Sequence, residues 1–137
     1  MPQPRYRRLL AEPPPCFAVP VRVLIVDDHP AFRQAAHELL HRRGYAVVGE
    51  AGCAASAVEA GLRLEPDAVL LDIRLGDGSG FEVARALGRA CPSAAVLLVS
   101  SQDYGCCRER LGLSGARGFL LKSRLASADL SEYWPES

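Results

Sequence analysis

Five short apolar runs limit what this chain can fold into: residues 21–26, 46–49, 68–71, 95–99 and 118–121. They are dominated by Val, Leu, Ile and Ala, and no polar residue alternates regularly through them. That pattern predicts strands covered on both faces. Stretches of helical spacing separate them. Pro30 suits a first helical turn, with His29 or Asp28 as cap, and Phe32, Ala35, Ala36, Leu39 and Leu40 then recur on one face before Gly44. Residues 54–64 and 81–90 read as helices ending before Pro66 and Pro92. Residues 103–113 and 125–133 read as a fourth and a fifth. Strand followed by helix, five times over, predicts an α/β fold, a parallel sheet between two layers of helices.

The remaining composition narrows the function. Acidic and basic residues balance, 16 against 16, so no strong field is available for gripping nucleic acid, and direct DNA binding by this chain is not expected. No apolar stretch approaches the ~20 residues of a membrane span, and no secretory signal opens the chain. Five cysteines, with no CxxC pair, suggest reduced thiols in a cytoplasmic protein rather than a disulfide framework or zinc site. Residues 1–20 hold six prolines and three arginines and read as a flexible leader. Residues 21–134 form the domain, and 135–137 a short tail.

The ends of the apolar runs carry the chemistry. In open α/β sheets, ligands bind beyond the carboxyl ends of the strands. The first run ends in Asp27 and Asp28, the third in Asp72, the fourth in Ser100 and the fifth in Lys122. If the first and third strands are neighbours, three carboxylates meet in one crevice. Their mutual repulsion and desolvation must be offset. A hard dication such as Mg2+ would take their oxygens and bridge to phosphate. A hydroxyl and an ammonium at neighbouring strand ends would hold the other phosphate oxygens.

The stretches Val-Leu-Ile-Val-Asp-Asp-His-Pro (23–30), Leu-Leu-Asp-Ile-Arg-Leu (70–75), Leu-Leu-Val-Ser-Ser (97–101) and Gly-Phe-Leu-Leu-Lys-Ser (118–123) resemble the receiver domain of two-component response regulators. Asp-Asp-His-Pro with Phe32-Arg33, and later Val48-Gly49-Glu50-Ala51, are most similar to receivers linked to LuxR-type DNA-binding domains. The resemblance spans about residues 21–133. It implies a flavodoxin-like (βα)5 fold with sheet order 2-1-3-4-5. It makes Asp72 the phosphoacceptor, with Lys122 and Ser100 as phosphate partners. Asp28, Asp72 and the Arg74 backbone carbonyl would hold Mg2+ or Mn2+, with Asp27 acting through a metal-bound water. Ser100 and Phe119 would form the switch, and Arg74 and Gln102 would tune the phosphoryl lifetime. The implied partners are a sensor histidine kinase or phosphotransfer protein, and a second copy through the face of the fourth helix, fifth strand and fifth helix. The only reactions implied are the protein's own phosphorylation and dephosphorylation, so it is not an enzyme in the ordinary sense, and no organic cofactor is implied.

Three features depart from the family pattern. Gly76 replaces a proline, Ser123 stands where many receivers have a cis-proline, and the 137 residues leave no room for a helix-turn-helix. The last point implies a stand-alone receiver or one parted from its output domain. Competing functions meet specific objections. A haloacid-dehalogenase-like phosphatase needs a second Asp two residues after its nucleophile, where this chain has His29 or Arg74. A flavin binder needs a Ser/Thr/Gly-rich first loop rather than two carboxylates. A receiver-like interaction module working without phosphorylation stays open. His37 and His41, four apart on a helix, read as solvent-exposed rather than as a metal site, and Trp134 as packing.

Overall fold

Parallel pairing gathers the five apolar runs into one sheet, and burial on both faces rewards their uniform hydrophobicity. The computed structural model describes residues 19–103 and 108–135. Its main strands are β1 (Arg22–Val26), β2 (Ala46–Ala51), β3 (Ala68–Asp72), β4 (Ala95–Ser100) and β5 (Gly118–Leu121). All neighbours are parallel, in the order β2-β1-β3-β4-β5. This is the flavodoxin-like 2-1-3-4-5 sheet. The helices are α1 (Pro30–Arg42), α2 (Ala54–Leu64), α3 (Gly80–Ala90) and α4 (Arg108–Ser114).

Alternating side chains divide the core in two, as the two-residue period of a strand requires. Val23, Ile25, Leu70, Leu97 and Val99 meet Ala36 and Leu40 of α1 and, from the C-terminal segment, Leu125, Leu130 and Trp134. Leu24, Val26, Val69, Leu71, Val96 and Leu98 meet Ala57 and Ala60 of α2 and Phe81, Val83, Ala84 and Leu87 of α3. Each fully buried Leu or Val stabilises the fold by roughly 1.5–3 kcal/mol before entropy is counted. β3 and β4 are buried along their whole length, so the polar ends Asp72 and Ser100 are carried inside with them.

The segment after β3 is held closely. Arg74–Leu75 and Gly78–Ser79 form a small antiparallel ladder. Gly80 then opens α3 so near β3 that a Cβ there would lie 2.3 Å from the Asp72 carbonyl oxygen. Its N–H donates to the Ile73 carbonyl at 2.7 Å. Asp77, at the tip of the ladder, accepts from the N–H groups of Ala54 and Ala55 at 2.7 and 3.1 Å. It thereby caps α2 from a distance, in place of Cys53, whose side chain makes no cap bond.

The structure corrects three expectations. The cap position of α1 is His29, but its side chain makes no cap bond; instead Asp27 Oδ1 accepts the His29 N–H at 2.8 Å. The fourth helix does not begin at Asp103. There the chain turns, with Ser100 Oγ accepting the Gln102 N–H at 3.1 Å, and among the described residues α4 covers Arg108–Ser114. Residues 104–107 lie outside the described residues, as do Cys16, Cys106, Cys107 and 1–18 of the leader. The fifth α-helix is replaced by two 3-10 turns, Lys122–Ser127 and Leu130–Glu132. Asp129 Oδ1 accepts from both the N–H and the hydroxyl of Ser131, a local bond that competes with helix. Arg43 donates to the carbonyls of Ala126 and Ala128, taking acceptors that a helix would use.

Candidate functional site

The register of the sheet sets the site. β1 lies between β2 and β3, so Val26 pairs with Leu71 and the residues just beyond, Asp27 and Asp72, emerge side by side. β4 and β5 bring Ser100 opposite Leu121, one residue before Lys122. Asp28, His29, Asp72, Arg74, Ser100 and Lys122 line one open cavity of about 370 Å³, together with Leu75, Gly76 and Ser101. One oxygen from each of Asp27, Asp28 and Asp72 and a ring nitrogen of His29 lie within 4.8 Å of one another.

Charge explains how the groups are held. Asp27 is fully buried and faces Lys122 Nζ through Oδ2 at 2.6 Å. The same ammonium stands 3.6 Å from Asp72 Oδ2 and 4.2 Å from the centroid of the Phe32 ring. Burial raises the pKa of Asp72 above the ordinary carboxylate value, and the charge of Asp27 raises it further. Lys122 and the Arg74 N–H pull it the other way, and Asp28 adds a smaller upward push. Three carboxyl groups share one ammonium here, so acidic groups outnumber the basic one that faces them.

That imbalance tests the fit of a dication. Asp28 Oδ1 is closed to water and accepts no hydrogen bond. The imidazole Nδ1 of His29 lies 3.0 Å away but is poorly aimed to donate. An orphaned carboxylate oxygen beside two further carboxylates is the donor set that a hard cation takes. The residues fit Mg2+ or Mn2+.

The remaining expected residues fall around this centre. Arg74 Nη1 donates to Gln102 Oε1 at 3.3 Å, so the two positions expected to tune the phosphoryl lifetime touch, and Arg74 lines the cavity. Phe119 sits half-buried on β5, paired with Leu98, and packs toward the α2/α3 side. His37 is drawn to Glu50 at 3.2 Å and His41 is exposed, so neither joins the acidic group. Three contributors escape a reading of strand ends. Arg33 donates to the Asp27 carbonyl at 2.6 Å and to Glu50, tying β1 to β2. His29 lines the cavity, and Phe32 lies against Lys122. Helical spacing marked Phe32 as apolar, but only folding shows which cation it meets.

The whole constellation has relatives. Residues 23–132 match the family model of the response regulator receiver domain. The chain is 39% identical over 106 residues to the nitrate/nitrite response regulator protein NarP of Escherichia coli, covering 77% of this chain and 49% of that protein. It is 40% identical over 103 residues to the probable transcriptional regulatory protein NarL of Mycobacterium tuberculosis, covering 74% and 48%. The chain thus spans about half the length of these curated relatives. Among solved structures, it is similar to the signal receiver domain of the putative response regulator NarL from Mycobacterium tuberculosis, with TM-score 0.72, 36% identity and coverage of 82% and 94%. A LuxR-family two-component response regulator from Aurantimonas gives TM-score 0.73, 30% identity and coverage of 80% and 82%.

Proposed function

This chain belongs to the response regulator receiver domain family, of the LuxR-linked type, and we propose that it accepts a phosphoryl group on Asp72 from a histidine kinase or phosphotransfer protein. An Asp72 carboxylate oxygen attacks phosphorus, the P–N bond of the donor phosphohistidine breaks, and the imidazole leaves with the electron pair and takes a proton. An acyl phosphate results. Such transfer depends on alignment and charge neutralisation more than on covalent help. Asp28, Asp72 and the Arg74 carbonyl would hold Mg2+ or Mn2+, with Asp27 alongside, and the cation would offset charge on the phosphoryl oxygens. Lys122 pairs with one phosphate oxygen and Ser100 with another. Arg74, on the cavity wall, and its partner Gln102 govern how long the phosphoryl group survives by controlling access of water.

The observation that carries this reading is a buried carboxylate, Asp72, at the wall of an open cavity with a cation-hungry acidic group on one side and Lys122 3.6 Å away. Phosphorylation gives Ser100 different contacts in two loop states, which is what a population shift requires. With Phe119 following Ser100, the face of α4, β5 and the C-terminal 3-10 segment changes its affinity for a partner or a second copy. The protein acts in the cytoplasm, turns over no external substrate and leaves DNA contact to others.

Incubation with acetyl phosphate and Mg2+, followed by hydroxylamine trapping and mass spectrometry, should place one label on Asp72. A label elsewhere, or none at millimolar Mg2+, would overturn the assignment. Beryllofluoride with Mg2+ should move the amide resonances of Ser100 and Phe119. A still spectrum would favour an interaction module that works without phosphorylation.

A further inference from the structure

We propose that Phe32 is a positioning residue for Lys122: its ring holds the ammonium where an incoming phosphoryl group is met. The inference rests on the role of Lys122 as phosphate partner proposed above.

An ammonium has three donors and no acceptor. Around Lys122 Nζ, Asp27 Oδ2 stands at 2.6 Å, Asp72 Oδ2 at 3.6 Å and the Phe32 ring centroid at 4.2 Å. The lysine side chain is 17% exposed, so little water remains to replace any of these neighbours. The π face attracts the cation without fixing a direction. Lys122 can therefore turn from Asp27 toward an oxygen on Asp72 while still resting on the ring. A third carboxylate in place of the ring would compete for the ammonium. An aliphatic side chain would present hydrocarbon to a poorly hydrated charge.

Packing alone does not account for an aromatic here. Phe32 is only half-buried. Together with Ala35, Leu39 and Leu125 it lines a second, apolar cavity between α1 and the C-terminal segment, and Lys122 forms part of the wall of both cavities. Trimming the ring widens an open groove and leaves no sealed void, and a larger ring has room. The position tolerates several apolar residues for folding, but only aromatic ones satisfy Lys122.

The test compares Phe32→Leu, Phe32→Trp and Lys122→Ala in the full chain. In the wild type, the ring current of Phe32 should displace the Lys122 Cε protons upfield. Phe32→Leu should abolish that displacement and weaken Mg2+-dependent beryllofluoride binding about tenfold, with Mg2+ affinity and melting temperature within narrow limits of wild type. Phe32→Trp should restore both properties. If Phe32→Leu keeps wild-type beryllofluoride affinity while Lys122→Ala loses it, the inference fails and the role of Lys122 stands. If Lys122→Ala binds beryllofluoride as wild type does, the lysine has no phosphate role and both readings fall. Equal weakening of Mg2+ and beryllofluoride in Phe32→Leu would show a general structural loss and also overturn the inference.

Discussion

At the carboxyl end of β3, Gly80 presses backbone against backbone. A Cβ there would meet the Asp72 carbonyl oxygen at 2.3 Å and the Ile73 Cα at 2.7 Å. On β5, Gly118 meets a side chain instead, the Tyr133 ring, whose Cε1 would stand 2.5 Å from an added Cβ. The acidic end of the molecule is bounded by β3, the small ladder and two full helices. The other side has a half-buried β5 and 3-10 turns in place of a helix. The difference matches what the proposed function would ask of each side. An acceptor carboxylate must keep its distances to Asp27, Asp28 and Lys122. A face that reports phosphorylation must have more than one accessible arrangement.

One substitution, made in both places, tests that contrast. Gly80→Ala should destabilise the protein by about 3 kcal/mol, because neither the Asp72 carbonyl nor the Ile73 backbone can retreat without moving β3. Gly118→Ala should cost about 1 kcal/mol or less, because the half-buried Tyr133 ring can swing aside. Urea unfolding of both variants measures the two losses. Equal values would mean that the β5 side is as tightly fixed as the acidic side.

Arg43 sharpens the contrast from the other direction. Its guanidinium donates to the carbonyls of Ala126 and Ala128, holding the 3-10 segment against the end of α1. Arg43→Ala should cost about 1 kcal/mol. Amide exchange should quicken in residues 122–134 while β1 and β3 keep their protection. Exchange that quickens equally at β3 would show the two sides to be one cooperative unit.

The acidic side was also the more legible in sequence. Strand ends that carry Asp27, Asp28, Asp72, Ser100 and Lys122 are visible because apolar runs stop abruptly, and parallel topology sends all those ends to one rim. The two-sided burial follows from the same runs, whereas the sheet order was implied only by the family resemblance. What escaped depends on contacts between distant segments. Asp77 reads as a loop residue, and nothing local says that it caps a helix beginning at Ala54. The C-terminal segment fails for a related reason. Leu125, Leu130 and Trp134 are buried, but Asp129 bonds to Ser131 and Arg43 captures two carbonyls. These bonds outweigh a short stretch of helical spacing.

The smallest expected effect belongs to Asp77, and its value lies in its pH dependence. The N–H groups of Ala54 and Ala55 hold its carboxylate in the ionised form, so its pKa lies below the ordinary value. A carboxyl group with a lowered folded-state pKa contributes its stability above the unfolded pKa, ~3.9, and loses it as pH falls through the folded-state pKa. Asp77→Ala should therefore melt slightly below wild type at pH 7. The gap should narrow as acid carries the pH down through the lowered folded-state pKa, because wild-type Asp77 then becomes protonated and ceases to be a strong acceptor. Melting curves followed from pH 7 into acid decide the matter. A gap that stays constant would assign the loss to packing of the ladder against α2. A closing gap would show that one exposed carboxylate joins the loop after the acceptor to the helix beside it, and that the firmness of the acidic side is electrostatic as well as steric.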